Sequence, residues 1–177
     1  MANFVERRKE SRLPYDQKVI LTDGQNTMTG SAMNISRGGV FIKTLDPFPI
    51  DTRGHLTFLL PNHTGTLCVA VKVAHVIFDR FRAEIECGMG CEFLDLDASN
   101  RTLINLHIMS SQEAYVQLQK ILREPRPDFA AIAACVKKLP NLVGMDLAEL
   151  RYRVDRICTI FEASPDATAP GQNLVSA

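Results

Sequence analysis

The spacing of apolar positions changes period once along the chain. Up to about residue 94 the apolar residues come in short runs cut by turn signals, and beyond residue 97 they recur every three or four positions. Lys18 to Thr22 is a short run ending at Asp23-Gly24, a hairpin signal. Thr27 to Asn34 is the next strand. Val40 to Thr44 follows Gly38-Gly39, and Pro47 and Pro49 break the chain behind it. Leu56 to Leu60 stops at Pro61, and Leu67 to Phe78 is long and rich in valine. A turn near Asp79 to Arg82 then leads into Ala83 to Phe93. About six strands joined without helices predict a barrel or a sandwich.

From Asp97 the spacing is helical, through Leu103, Leu106 and Ile108 and on toward Leu122 before Pro125. Asp128 can cap a short helix carrying Phe129, Ile132, Val136 and Leu139, which Pro140 stops. Asp146 with Glu149 three residues later is patterned like a capping box. The helix it opens puts Leu147, Leu150, Val154, Ile157 and Phe161 on one face. That seam is expected to dock on the barrel or on a second copy of the chain. From about Ser164 the composition predicts a frayed tail.

Composition narrows the function. Of 177 residues, 46% are hydrophobic and 23% charged, and 20 basic side chains balance 20 acidic ones. A neutral chain has no global pull on nucleic acid or an anionic membrane, so any anion site must be local. No apolar run reaches the length of a membrane span, and the charged opening is unlike a secretory signal. A cytoplasmic protein is expected. Five scattered cysteines suit reduced thiols better than a disulfide framework.

Two short motifs carry chemistry. In the first, Arg8 and Arg12 stand four apart with Arg7 just before them. Guanidinium forks match phosphate oxygens and the O6/N7 edge of guanine. The second is Asn34-Ile35-Ser36-Arg37-Gly38-Gly39, set between two strands. Asn34 and Ser36 alternate with Ile35 and so face one side, while the glycines allow positive φ and close backbone approach. Taken singly, each motif is matched by an ordinary structural role: a solvated basic arm, or a polar turn.

In this order and placement the pair resembles the PilZ domain family, over roughly residues 4 to 108. Gly90 and Phe93 resemble the Gly-x-x-Phe ending of that family's last strand, and the helix near Asp97 sits where such domains carry a helix across the barrel mouth. The resemblance implies a mainly β fold, a six-stranded antiparallel PilZ-type β-barrel with a C-terminal α-helical extension. The expected division is a flexible basic arm (1–12), the barrel with its closing helix (13–108), a helical extension (109–163) and a disordered tail (164–177). The implied ligand is cyclic di-GMP. Arg8 and Arg12 would hold phosphate and guanine edges, and Asn34, Ser36, Gly38 and Gly39 would line the opposite wall. Arg7 occupies the place of the extra arginine in members that take two ligand molecules per site. Ligand would order the mobile arm, and the signal would pass to an unidentified effector protein. Because seven residues precede Arg8, no N-terminal domain is expected to share the arm. A homodimer through the C-terminal helices is a further expectation.

Three other readings compete. Cys87 and Cys91, with His55, His63, His75 and His107, could serve an enzyme or a metal, but no catalytic or paired metal-ligand motif accompanies them, so neither is expected. A PilZ-like module that signals without nucleotide is the main alternative, although such proteins typically lack one of the two motifs. An oligonucleotide-binding barrel would need a basic groove with exposed aromatics. Phe41, Phe58 and Phe93 are expected in the barrel core instead.

Overall fold

The computed structural model describes residues 12–61, 63–78 and 87–162. Six strands, β1 (Leu13–Thr22), β2 (Thr27–Ile35), β3 (Gly39–Lys43), β4 (Arg53–Leu59), β5 (Thr66–Ile77) and β6 (Gly88–Phe93), close into a barrel. Their order around it is β1-β2-β3-β6-β5-β4, with every pairing antiparallel. Apart from the bulges, side chains along the strands alternate inward and outward, and the inward set fills the lumen: Val19 and Leu21 of β1, Ala32 of β2, Ile42 of β3, Leu56 and Phe58 of β4, Val69, Val71 and Val73 of β5, and Met89 of β6. The first hairpin follows its sequence signal. Gly24 turns at φ +96, and the Asp23 carboxylate accepts the Gln25 and Asn26 amides at 2.8 and 2.6 Å.

The first strand is longer than its apolar run. It starts at Leu13 rather than near Lys18, because a bulge between Pro14 and Gln17 breaks the alternation that marks a strand. Asp16 takes φ +45 in that bulge, and Leu13 and Tyr15 on either side of Pro14 both point into the core. A second bulge separates Ala32 from Asn34 in β2.

Beyond the barrel, α1 (Ala98–Arg123) is one uninterrupted helix of 26 residues. Asp97 caps it, accepting the Asn100 amide at 2.7 Å. Its first half lies against the barrel, where Ile104 and Ile108 join the core and His107 meets the Tyr15 ring edge-on at 5.7 Å. Its second half carries α2 (Phe129–Val136) and α3 (Leu147–Glu162). Asp128 and Asp146 cap these helices as their spacing predicts, through the Ala130 and Glu149 amides at 2.8 and 2.9 Å.

The docking of α3 differs from the expectation. Its seam, buried at Leu150 and Val154 and packed at Leu147, Ile157 and Phe161, lies on α1 of the same chain and not on the barrel. Polar contacts fix the pairing. Asp155 accepts from Gln119 at 2.8 Å and from Arg123 at 3.1 Å, and Arg151 donates to the Leu122 carbonyl at 3.1 Å. A 3₁₀ turn at Pro140–Leu142 returns the chain to β1. Among the described residues no helix is long and apolar enough to cross a membrane.

Candidate functional site

Strand pairing brings the two sequence motifs together. Leu13 lies opposite Ile35 and Pro14 opposite Asn34, so the residue before β1 arrives beside the end of β2. There the Arg12 guanidinium donates from Nη1 to Asn34 Oδ1 at 3.4 Å. Arg7 and Arg8 lie outside the described residues, as do the rest of the arm before Arg12 and the tail from residue 164.

The turn after Asn34 is built by Ser36. Its amide donates to the Gly39 carbonyl at 2.8 Å, and its buried hydroxyl oxygen accepts the Gly38 amide at 3.3 Å. Gly38 in turn accepts the Phe93 amide at 2.9 Å, which ties the turn to the end of β6. Gly39 is needed for close approach. A Cβ there would collide with the Cys91 carbonyl oxygen, while its backbone does not use the positive φ that its sequence setting allowed. Ser36, Gly38 and Gly39 are therefore held by the turn's own bonds, while Asn34 and Arg12 meet at its rim and Arg37 is exposed.

One site feature was assigned elsewhere by the sequence. Phe41, expected in the core, is half-buried on the outer face, between the inward-facing Val40 and Ile42. The register makes a row across the barrel surface: Pro14, Asn34, Phe41, Gly90 and His75. The Phe41 and His75 rings stack with centroids 6.2 Å apart and planes 21° from parallel. Gly90 makes room for this, since a Cβ there would run into the His75 ring, and a Cβ at Gly88 would come within 2.9 Å of the Phe41 ring. The signal was present as Gly88-Met89-Gly90, two glycines on one face of a strand. A flat aromatic surface beside an amide and a guanidinium can hold a planar base and its phosphate. Phe58 does lie in the core, with Phe93 stacked on it at 6.3 Å and partly buried.

The cysteines do not form a reactive set. Cys87, Cys91, Cys135 and Cys158 are buried, Cys68 is exposed, and all are free thiols. Burial pushes the Cys91 thiol up to about 12, so it is protonated at neutral pH and a poor nucleophile. Among the described residues no group of three or more His, Cys, Asp or Glu could hold a metal ion.

Comparison with known proteins gives consistent answers. Residues 6–110 match the family model described as the PilZ domain. No curated protein sequence matches the chain. The fold is similar to the Bacillus subtilis inhibitor of motility MotI/DgrA, at 20% identity and TM-score 0.52, over 62% of this chain and 52% of that one. It is similar to Escherichia coli YcgR in complex with c-di-GMP, at 15% identity and TM-score 0.52, over 66% and 51%. A complex of K. pneumonia MrkH with c-di-GMP is similar at 18% identity and TM-score 0.50, over 60% and 52%. The matched region thus spans about half the length of each of these proteins.

Proposed function

The chain belongs to the PilZ domain family, and from that premise we propose that it is a cytoplasmic receptor for cyclic di-GMP. The observation that supports the reading is the hydrogen bond from Arg12 to Asn34, which joins one residue of each motif. The ligand presents two phosphates and two guanines. Arg8 and Arg12 supply forked donors to phosphate oxygens and to guanine O6 and N7. Asn34 offers both a donor and an acceptor to a base edge, and the Phe41–His75 surface takes the base's flat face. The c-di-GMP complexes of YcgR and MrkH support the choice of ligand.

In this reading the arm with Arg7, Arg8 and Arg12 closes over the bound ligand, and Arg7 admits a second molecule. The newly covered barrel face and the helices beyond residue 108 carry the signal to a partner protein. The protein binds and relays; no catalytic step is involved.

Isothermal titration of the protein with cyclic di-GMP tests this, with Arg8→Ala and Arg12→Ala alongside. Each substitution removes charge-assisted hydrogen bonds and is expected to weaken binding by roughly ten- to a hundredfold or more. A stoichiometry near two supports the role of Arg7, and slower protease cleavage of the arm with ligand supports closure. No heat at high ligand concentration with the intact protein would sink the receptor reading and favour a module that signals without nucleotide.

A further inference from the structure

A second concavity begins one residue from the motif turn. It is a cleft of about 310 Å³ between that turn, the end of β6 and the first turns of α1. Arg37 and Arg101 stand in its walls with Asp95, and Phe93, Leu96 and Ile104 give it an apolar lining. Arg37 is a variable position inside the second motif, while Asp95 and Arg101 lie outside both motifs.

The charges of the cleft are unspent. Neither Arg37 nor Arg101 has an ion-pair partner among the described residues, and both are exposed. Arg101 is positioned, donating from one terminal nitrogen to the Leu96 carbonyl at 3.3 Å, which leaves its other donors for a ligand. Asp95 takes φ +43 where the chain swings from β6 into α1, a left-handed conformation that Asp and Asn adopt at less cost than other side chains. Its carboxylate lines the same cleft as the two guanidinium groups without pairing to either.

Few ligands ask for both charges and an apolar floor. Guanine does. Its O6 and N7 accept an arginine fork, its N1–H and exocyclic N2–H₂ donate to a carboxylate, and its flat face packs on apolar carbon. Adenine has a donor where guanine has O6 and lacks the N1–H, so it would set a donor against the arginine and an acceptor against the carboxylate. We propose that this cleft is a guanine subsite of the receptor, with Arg37 and Arg101 reading O6/N7 and Asp95 reading the N1–H/N2–H₂ edge. The inference deepens the receptor reading and rests on it for the source of the base, a cyclic dinucleotide held at the neighbouring turn.

Titrations of the full chain with cyclic di-GMP and with cyclic di-IMP, which lacks the N2 amino group, test the assignment in wild type, Asp95→Asn and Arg101→Gln. Asn keeps the left-handed backbone tolerance of Asp95, and thermal unfolding confirms that both variants fold. Each variant is expected to weaken cyclic di-GMP binding by roughly tenfold or more. Asp95→Asn should also shrink the preference for guanine over hypoxanthine, whereas Arg101→Gln should leave it, because hypoxanthine retains O6 and N7. If both variants bind as wild type does while Arg12→Ala loses binding, the cleft takes no base and the receptor reading stands. If wild type binds no cyclic di-GMP, that reading fails, and titration with 5′-GMP followed by amide chemical shifts decides the cleft. Shifts confined to residues 37, 93–96 and 101 would sustain it as a guanine site, and their absence would overturn it.

Discussion

At Gly39 and Gly90 the same missing Cβ serves different ends. Gly39 faces backbone, the Cys91 carbonyl and Glu92, which cannot yield without parting β3 from β6. Gly39→Ala should therefore cost about 1–3 kcal/mol of stability, read from the urea midpoint. Gly90 faces a ring that can swing away, so Gly90→Ala should leave the fold and disturb the site. Truncating the ring beside it, Phe41→Ala, is expected to remove about 1–3 kcal/mol of affinity for cyclic di-GMP with little change in melting temperature.

His107 is a residue-scale liability. It is buried against Tyr15, its Nε2 finds no hydrogen-bond partner among the described residues, and burial lowers its pKa below the ordinary 6.5. The unfolded chain then binds a proton that the folded chain refuses. The stabilising effect of a neutral imidazole is complete above pH of about 6.5 and is lost as the pH falls below it. Denaturant titrations should show stability declining from pH 7.5 to 5, with a shallower slope in His107→Gln. The sequence offered no sign of this: a histidine on a helical pattern reads alike whether it meets solvent or a tyrosine.

Among the elements, boundaries were legible where turn chemistry marks them and illegible where bulges intervene. Asp23-Gly24, Asp128 and Asp146 announce a hairpin and two helix starts, and their side chains make the capping bonds their positions imply. The bulge after Pro14 hid the first half of β1, and the bulge before Asn34 sets its side chain against Arg12, a placement that strict alternation does not state. For α3 the five-residue seam gave the face but not the surface receiving it, because leucine and valine fit a barrel, a second copy or α1 equally well. Now that α1 fills that seam, Leu150→Ala should cost about 2–5 kcal/mol and fray α3, seen as faster amide exchange over 147–162 while the barrel amides stay protected.

At the scale of the whole molecule, ligand and fold are thermodynamically linked. A ligand that binds only the folded chain at a hundred times its dissociation constant adds about 2.7 kcal/mol. Cyclic di-GMP should raise the melting temperature of wild type at such concentrations and raise that of Arg12→Ala by half as much or less, measurable by scanning calorimetry. Short strands and turns alone left a barrel or a sandwich open, and the resemblance carried by the two motifs both chose the barrel and suggested the ligand. The cleft of Arg37 and Arg101 was not legible, since it is assembled from a turn, a strand end and a helix that no spacing rule connects.

The unbroken run of α1 gives the molecule a lever. Twenty-six residues make a rod about 39 Å long, seated on the barrel at Ile104 and His107 and clasped by α3 at Gln119 and Arg123. Tilting such a rod by about 10° at that seat, about 25 Å from its C-terminal end, sweeps the end through roughly 4–5 Å. Under the proposed guanine subsite, a base beside Arg101 that nudges the first turn would carry the α3 end by about that much, and spin labels on α3 and the barrel would register it as a change of distance.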